Sequence, residues 1–145
     1  MLSRQASHAL KALLELARDP QRWRSTHELA TAQQLPEPML EQLLLRLRRA
    51  GLLVARRGRL GGFRLAMPPS ELSIAAVLAG LGEGSAMGSG ADSDVSAADR
   101  VTAALANRLE RARRRALEEL SLEDLLFDLR SAEASDSLEG GLMFG

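Results

Sequence analysis

Apolar residues return at helical spacing through the first half of the chain. Ala6, Leu10, Leu13, Leu14 and Ala17 share one face of a segment over 5–18. Asp19-Pro20 closes it, because a proline disfavours helical backbone at the residue before it. Ser25-Thr26-His27-Glu28 has the form of a capping box, with Ser25 accepting from the third amide and Glu28 reaching back, and it opens a short helix through Gln33. Gln34-Leu35-Pro36 is a turn, and Pro38 stands at the first position of a helix over 37–50, where a missing amide hydrogen is harmless. Leu40, Leu43, Leu44 and Leu47 form the apolar stripe of that helix. Gly51 follows as a C-cap. Then Leu52-Leu53-Val54-Ala55 and Phe63-Arg64-Leu65-Ala66 flank a tip of Arg57-Gly58-Arg59-Leu60-Gly61-Gly62, a hairpin whose arginines project from its end. Helix, turn, longer helix and arginine-tipped hairpin together predict a winged helix-turn-helix, mainly α with a small β-wing.

Met67-Pro68-Pro69 breaks the second wing strand, and Ser73 caps a short helix from Ile74 to about Leu81. Residues 82–95, GEGSAMGSGADSDV, hold too little apolar surface to offset ordering entropy and read as a flexible linker. Ser96 and Asp99 cap a long helix running to about Glu119. Its stripe is Val101, Leu105, Leu109, Ala112, Ala116 and Leu120, with Arg108, Arg111, Arg114 and Arg115 opposite. The small alanines allow close approach, and a long helix behind a linker implies packing on a second subunit, so the stripe is the expected homodimer interface. Ser121-Leu122-Glu123-Asp124 caps a short closing helix with Leu125, Leu126 and Phe127, and nothing periodic follows Arg130. The expected organisation is a winged helix-turn-helix DNA-binding domain over 1–81, a linker over 82–95, the dimerisation and closing helices over 96–130, and a disordered tail over 131–145.

Charge changes the picture more than composition does. The chain of 145 residues has zero net charge, but residues 1–80 hold 12 Lys/Arg against 6 Asp/Glu, and residues 81–145 hold 7 against 13. The basic half is the half with the winged-helix pattern, and the acidic half cannot cancel a local field beyond a Debye length of ~8 Å. Aromatics at 3% argue against a stacking platform for single strands. Cysteine is absent, which removes disulfides, thiolate nucleophiles and cysteine-ligated metals or clusters. With no long apolar run and no leader pattern, the expectation is a cytoplasmic protein with no membrane partner.

The chemistry is that of double-stranded DNA recognition. Pro38, Met39, Glu41 and Gln42 lie at the start of the second helix of the helix-turn-helix, the end that meets base edges. Gln42 suits adenine and Glu41 the cytosine amino group, whereas Arg46 and Arg49 suit phosphates. Thr26, at the start of the preceding helix, and Arg56, Arg57 and Arg59 on the wing complete the set, the wing arginines being suited to a narrow minor groove. A solvated charged face is the plainer account of each piece alone. His8 and His27 lie on different helices without a carboxylate or thiol cluster and read as surface or packing residues. Asp92, Asp94 and Asp99 are better solvated than gathered on a cation. No nucleophile–base pair, phosphate loop or metal-ligand spacing points to an enzyme or a cofactor. A winged helix serving only protein interaction is the alternative.

Leu40-Glu41-Gln42-Leu43, Leu47-Arg48-Arg49-Ala50-Gly51-Leu52, Arg57-Gly58 and Gly61-Gly62-Phe63-Arg64-Leu65 resemble the Rrf-two (IscR/NsrR/CymR-like) family of bacterial winged helix-turn-helix regulators. Ala9-Leu10-Lys11-Ala12-Leu13 and Leu120-Ser121-Leu122-Glu123-Asp124-Leu125 extend the resemblance to about residues 2–127. It implies a homodimer joined through the long helix and bound to an imperfect palindrome, with Glu41 and Gln42 reading bases beside Pro38 and Met39, and Arg57 entering the minor groove. The chain departs from the pattern at Met39, where an aromatic residue is usual, and at Ser7-His8, where Arg-Tyr is usual. Many members hold an iron–sulfur cluster on three cysteines in the segment corresponding to 82–95. This chain has none, so its signal would be a small molecule, a protein effector or none at all.

Overall fold

Leu40, Leu43, Leu44 and Leu47 are all buried, and the helix that carries them, α3 (Glu37–Arg49), packs against α1 (Arg4–Arg18) and α2 (Thr26–Gln33). The computed structural model describes residues 2–83 and 95–143, with side chains described to residue 138. After α3 come β1 (Leu53–Arg56), β2 (Gly62–Leu65), a 3-10 turn (Pro69–Glu71), α4 (Ile74–Gly80), α5 (Ala97–Glu119) and α6 (Leu122–Met143). The two strands pair antiparallel, Leu53 opposite Leu65 and Arg56 opposite Gly62. One face of the hairpin puts Leu53, Phe63 and Leu65 into the core, leaving the other to Val54, Arg56 and Arg64.

Local chemistry explains the boundaries. Ser3, Ser25, Ser73 and Ser96 each accept an amide hydrogen bond at the start of α1, α2, α4 and α5. Ser96 is part of a full capping box, returned by Asp99, and Ser121 with Asp124 makes a second at the start of α6, the amides of Asp124 and Ser121 donating at 3.2 and 2.9 Å. At Ser25 the box expected from sequence is half made: the hydroxyl accepts from the Glu28 amide at 3.1 Å, but the Glu28 carboxylate turns to Arg22 and Arg24 instead. A guanidinium is the stronger partner for a carboxylate than a backbone amide. Pro38 occupies the second residue of α3, not the first, still within the turn whose amides have no intrahelical acceptor. The α3 terminus is a Schellman motif. Gly51, at φ +82°, donates to the Arg48 carbonyl, and Leu52 donates to Leu47, both at 3.0 Å.

The C-terminal part differs from expectation in two ways. Leu122 and Leu126 belong to the same buried cluster as the helix-turn-helix leucines, so the closing helix completes the winged-helix core. Backbone pairing secures it: Ile74 donates to the Leu120 carbonyl and Leu122 to that of Leu72, both at 2.8 Å. Secondly, α6 is not short. It continues through Met143 where an irregular tail was expected from residue 131. Residues 131–138 lack an apolar stripe, yet alanine, leucine and glutamate among them are good helix formers. Arg18 of α1 holds Glu133 at 3.0 Å, and that carboxylate raises the Arg18 pKa above its ordinary value. Of the expected 82–95 linker, residues 84–94 lie outside the described residues.

Candidate nucleic-acid interface

With its leucine stripe turned inward, α3 offers Pro38, Glu41 and Gln42 to solvent at its start and Arg46, Arg48 and Arg49 at its end. Acid near the N-terminus and base near the C-terminus both suit the helix dipole. Met39, counted from sequence among the exposed contacts, is half-buried and packs on the core, as does Leu45. Thr26 is half-buried at the first residue of α2. Arg46 reaches back to the Gln5 side chain at 3.5 Å, a long contact that leaves its guanidinium largely available. The turn into α3 is fastened from outside: His27 Nδ1 lies 3.0 Å from Glu37 Oε2. This pair joins the first turns of α2 and α3, and sequence spacing of 10 gave no sign of it.

Five residues, 57–61, form the wing loop between β1 and β2. The Gly61 amide donates to the Gly58 carbonyl at 3.1 Å, closing the turn. Two glycines there are compulsory. A Cβ on Gly61 would fall 2.1 Å from the Arg56 carbonyl oxygen, and one on Gly62, at φ +138°, would fall 2.3 Å from that of Arg24. The second close approach arises because Arg24 and Phe63 exchange backbone hydrogen bonds of 3.0 and 2.8 Å, stitching the loop before α2 to the wing.

The three wing arginines are not equivalent. Arg57 and Arg59 are exposed on the loop, and Leu60 between them and the glycines is 81% exposed. Arg56 is committed within the protein: it donates to the Leu60 carbonyl at 2.7 Å and lies over the ring of Trp23, 4.8 Å from its centroid. Arg64 lies over the same ring at 4.5 Å. Trp23 went unnoticed in the sequence, where the signal was a lone tryptophan between Arg22 and Arg24 just ahead of a helix cap. Arg24 is held by Glu28 at 3.2 Å and Glu15 at 3.7 Å, which ties this loop to α1 and α2.

Away from the wing, α5 buries none of its residues. Val101, Leu105 and Leu109 are 69%, 55% and 62% exposed, Ala112, Ala116 and Leu120 are exposed beside them, and Leu117 on another face packs against the core.

The family model for Rrf2, described as iron-dependent transcriptional regulators, matches residues 2–128. The chain belongs to the Rrf2 family. Among its relatives is slr0846 of Synechocystis sp., named as an HTH-type transcriptional regulator, 37% identical over 136 residues that cover 92% of each chain. The regulator IscR of Cereibacter sphaeroides is 34% identical, covering 74% of this chain and 72% of that one. Among solved structures, IscR of T. potens superposes with a TM-score of 0.74 at 27% identity, covering 91% of this chain and 90% of the other. CymR, the global cysteine regulator of B. subtilis, gives a TM-score of 0.73 at 30% identity, covering 87% and 95%. These matches make the winged helix-turn-helix the Rrf2 fold.

Iron dependence in the family description has no matching donor set here. An iron–sulfur cluster needs thiolate ligands, and the chain has no cysteine. His8 and His27 stand on separate helices, and among the described residues no three His, Asp or Glu gather into a metal-binding group. Nor is any described helix long and apolar enough to cross a membrane.

Proposed function

We propose that this Rrf2 protein regulates transcription by binding a pseudo-palindromic operator as a homodimer, without a cysteine-ligated iron–sulfur cluster. Glu41 and Gln42 of α3 read bases in the major groove, Arg46 and Arg49 grip phosphates, and Arg57 and Arg59 enter the adjacent minor groove. Pro38 and Thr26 approach the backbone at the helix starts, whereas Met39 and Arg56 support neighbouring residues from within. The apolar stripe of α5, Val101 to Leu120, forms the two-fold contact and sets the spacing between the two α3 helices. What supports this best is the division of α3: every stripe leucine is buried, while Glu41, Gln42, Arg46 and Arg49 are exposed on the opposite face beside an arginine-bearing wing. The relatives named as transcriptional regulators add to it.

Selection of bound duplexes from random sequence, followed by salt titration of the winner, tests the reading. The expected result is a two-fold-related site whose affinity falls steeply with salt, as counterions are released from several phosphates. No enriched site, or an affinity indifferent to salt, would leave a winged helix that binds proteins alone. Absorption and metal analysis of the same sample tests the cluster-free assignment.

A further inference from the structure

Trp23 has no place among the residues assigned to DNA, yet it lies against the strands of the wing that carries two of them. It is the only tryptophan, half-buried, and two guanidinium groups lie over its ring at 4.5 and 4.8 Å. Both cations come from the wing: Arg56 from β1 and Arg64 from β2, diagonal neighbours on its outer face. Gly62, directly opposite Arg56 on that face, has no side chain, and this is where the backbone of Arg24 comes in to pair with Phe63. The absence of a Cβ is what lets the wing lie down on the Trp23 loop. From the ring, the connection continues outward. Arg56 donates to the Leu60 carbonyl at 2.7 Å, inside the loop that presents Arg57 and Arg59.

We propose that Trp23 is a positioning residue for the wing, holding Arg56 and Arg64 over its ring so that the 57–61 loop presents Arg57 and Arg59 to DNA in one orientation. The inference rests on the DNA-binding reading above. A ring quadrupole attracts a guanidinium at this range, and it also shields two like charges that would otherwise push the two strands' outer face apart. With the ring gone, the hairpin keeps its backbone pairing to Arg24 but loses the restraint on its outer face. The wing then has to be ordered when DNA binds, which weakens the complex.

The test compares the unaltered 145-residue chain with Trp23→Phe, Trp23→Leu, Arg57→Ala/Arg59→Ala and the variant combining Trp23→Leu with both arginine changes. Each is titrated with the selected duplex at several salt concentrations, with thermal melting as a check on folding. Trp23→Leu should weaken binding roughly 5- to 30-fold, the combined effect of two exposed cation–π contacts, while Trp23→Phe retains most of the affinity. In the Arg57→Ala/Arg59→Ala background the Trp23→Leu change should have little further effect, because the residue acts through the arginines of the wing. A Trp23→Leu variant that binds like the unaltered protein overturns the proposal, as does an equal loss in both backgrounds, which marks general destabilisation. An unaltered protein that shows no salt-dependent binding refutes the DNA-binding reading itself, and the two failures are thereby told apart.

Discussion

Truncating Leu122 to alanine tests whether the C-terminal helices share a cooperative core with the winged helix. Leu122 is fully buried at the first residue of α6, and its amide donates to the carbonyl of Leu72, itself fully buried ahead of α4. The substitution removes three carbon groups, about 2.4 kcal/mol of transfer free energy at ~0.8 kcal/mol each. A cavity is left as well. Because the Leu72 and Ile74 backbone bonds on either side of Ser121 hold the start of α6 in place, the site collapses poorly, and the total should reach about 3–4 kcal/mol. For a chain of 145 residues this lowers Tm by roughly 6–15 °C. The assay is thermal and guanidinium unfolding followed by two signals, far-UV circular dichroism for all helices and Trp23 fluorescence for the winged-helix side. Protein concentration is held fixed, since self-association makes Tm concentration-dependent. Both signals should shift together. An early loss of helix with the Trp23 transition left in place would show that the C-terminal part unfolds by itself, and a destabilisation under about 1 kcal/mol would show that Leu122 is not packed.

Arg57→Ala should weaken DNA binding by about 1–3 kcal/mol on every sequence, whereas Gln42→Ala should also relax base preference at one position per half-site; full affinity in Arg57→Ala would remove the wing from the interface. Leu105→Asp with Leu109→Asp places two charges on the exposed α5 stripe and should yield monomers by sedimentation, with circular dichroism unchanged; a persistent dimer would move the contact elsewhere. Gly62→Ala drives a Cβ to 2.3 Å from the Arg24 carbonyl oxygen and must break the Arg24–Phe63 pair, a loss of about 2–4 kcal/mol in denaturant titration. Gly58→Ala, with nothing within 4 Å, should lose only about 1–2 kcal/mol from its positive φ. Equal losses at the two glycines would mean that backbone strain, not the close approach, makes Gly62 necessary.

The elements legible in the sequence are those built from local rules. The α3 stripe at positions 40, 43, 44 and 47, the serine caps and the glycine-ended helix all follow from periodicity and capping chemistry within a few residues, and each is found in place. What escaped was non-local. Trp23 meets its cationic partners 33 and 41 positions later, and nothing in the spacing of Arg56 and Arg64 distinguishes an arginine stacked on a ring from one free to meet DNA. Sequence alone treated Arg56, Arg57 and Arg59 alike for that reason. Met39 sits one residue from the buried Leu40, near the border between the two faces of α3, where periodicity cannot tell a contact residue from a packing one. The merging of Leu122 and Leu126 into the first core, across residues 84–94, was equally beyond a pattern read in segments.

Among the described residues α5 is attached at its C-terminal end, which has a mechanical consequence. Its C-terminal end is pinned where Leu120 and Leu122 pair with the residues flanking Ser73, while Val101, Leu105 and Leu109 toward the other end are exposed. A helix of 23 residues is about 35 Å long, so it acts as a lever arm whose fulcrum lies against α4. A tilt of about 5° at that fulcrum sweeps Ala97 through about 3 Å. In a two-fold assembly joined along α5, the same tilt turns both winged helices at once and changes the distance between their α3 helices. In the proposed DNA-bound dimer, small displacements at the α4–α5 junction would thereby be geared into the spacing of the two half-sites.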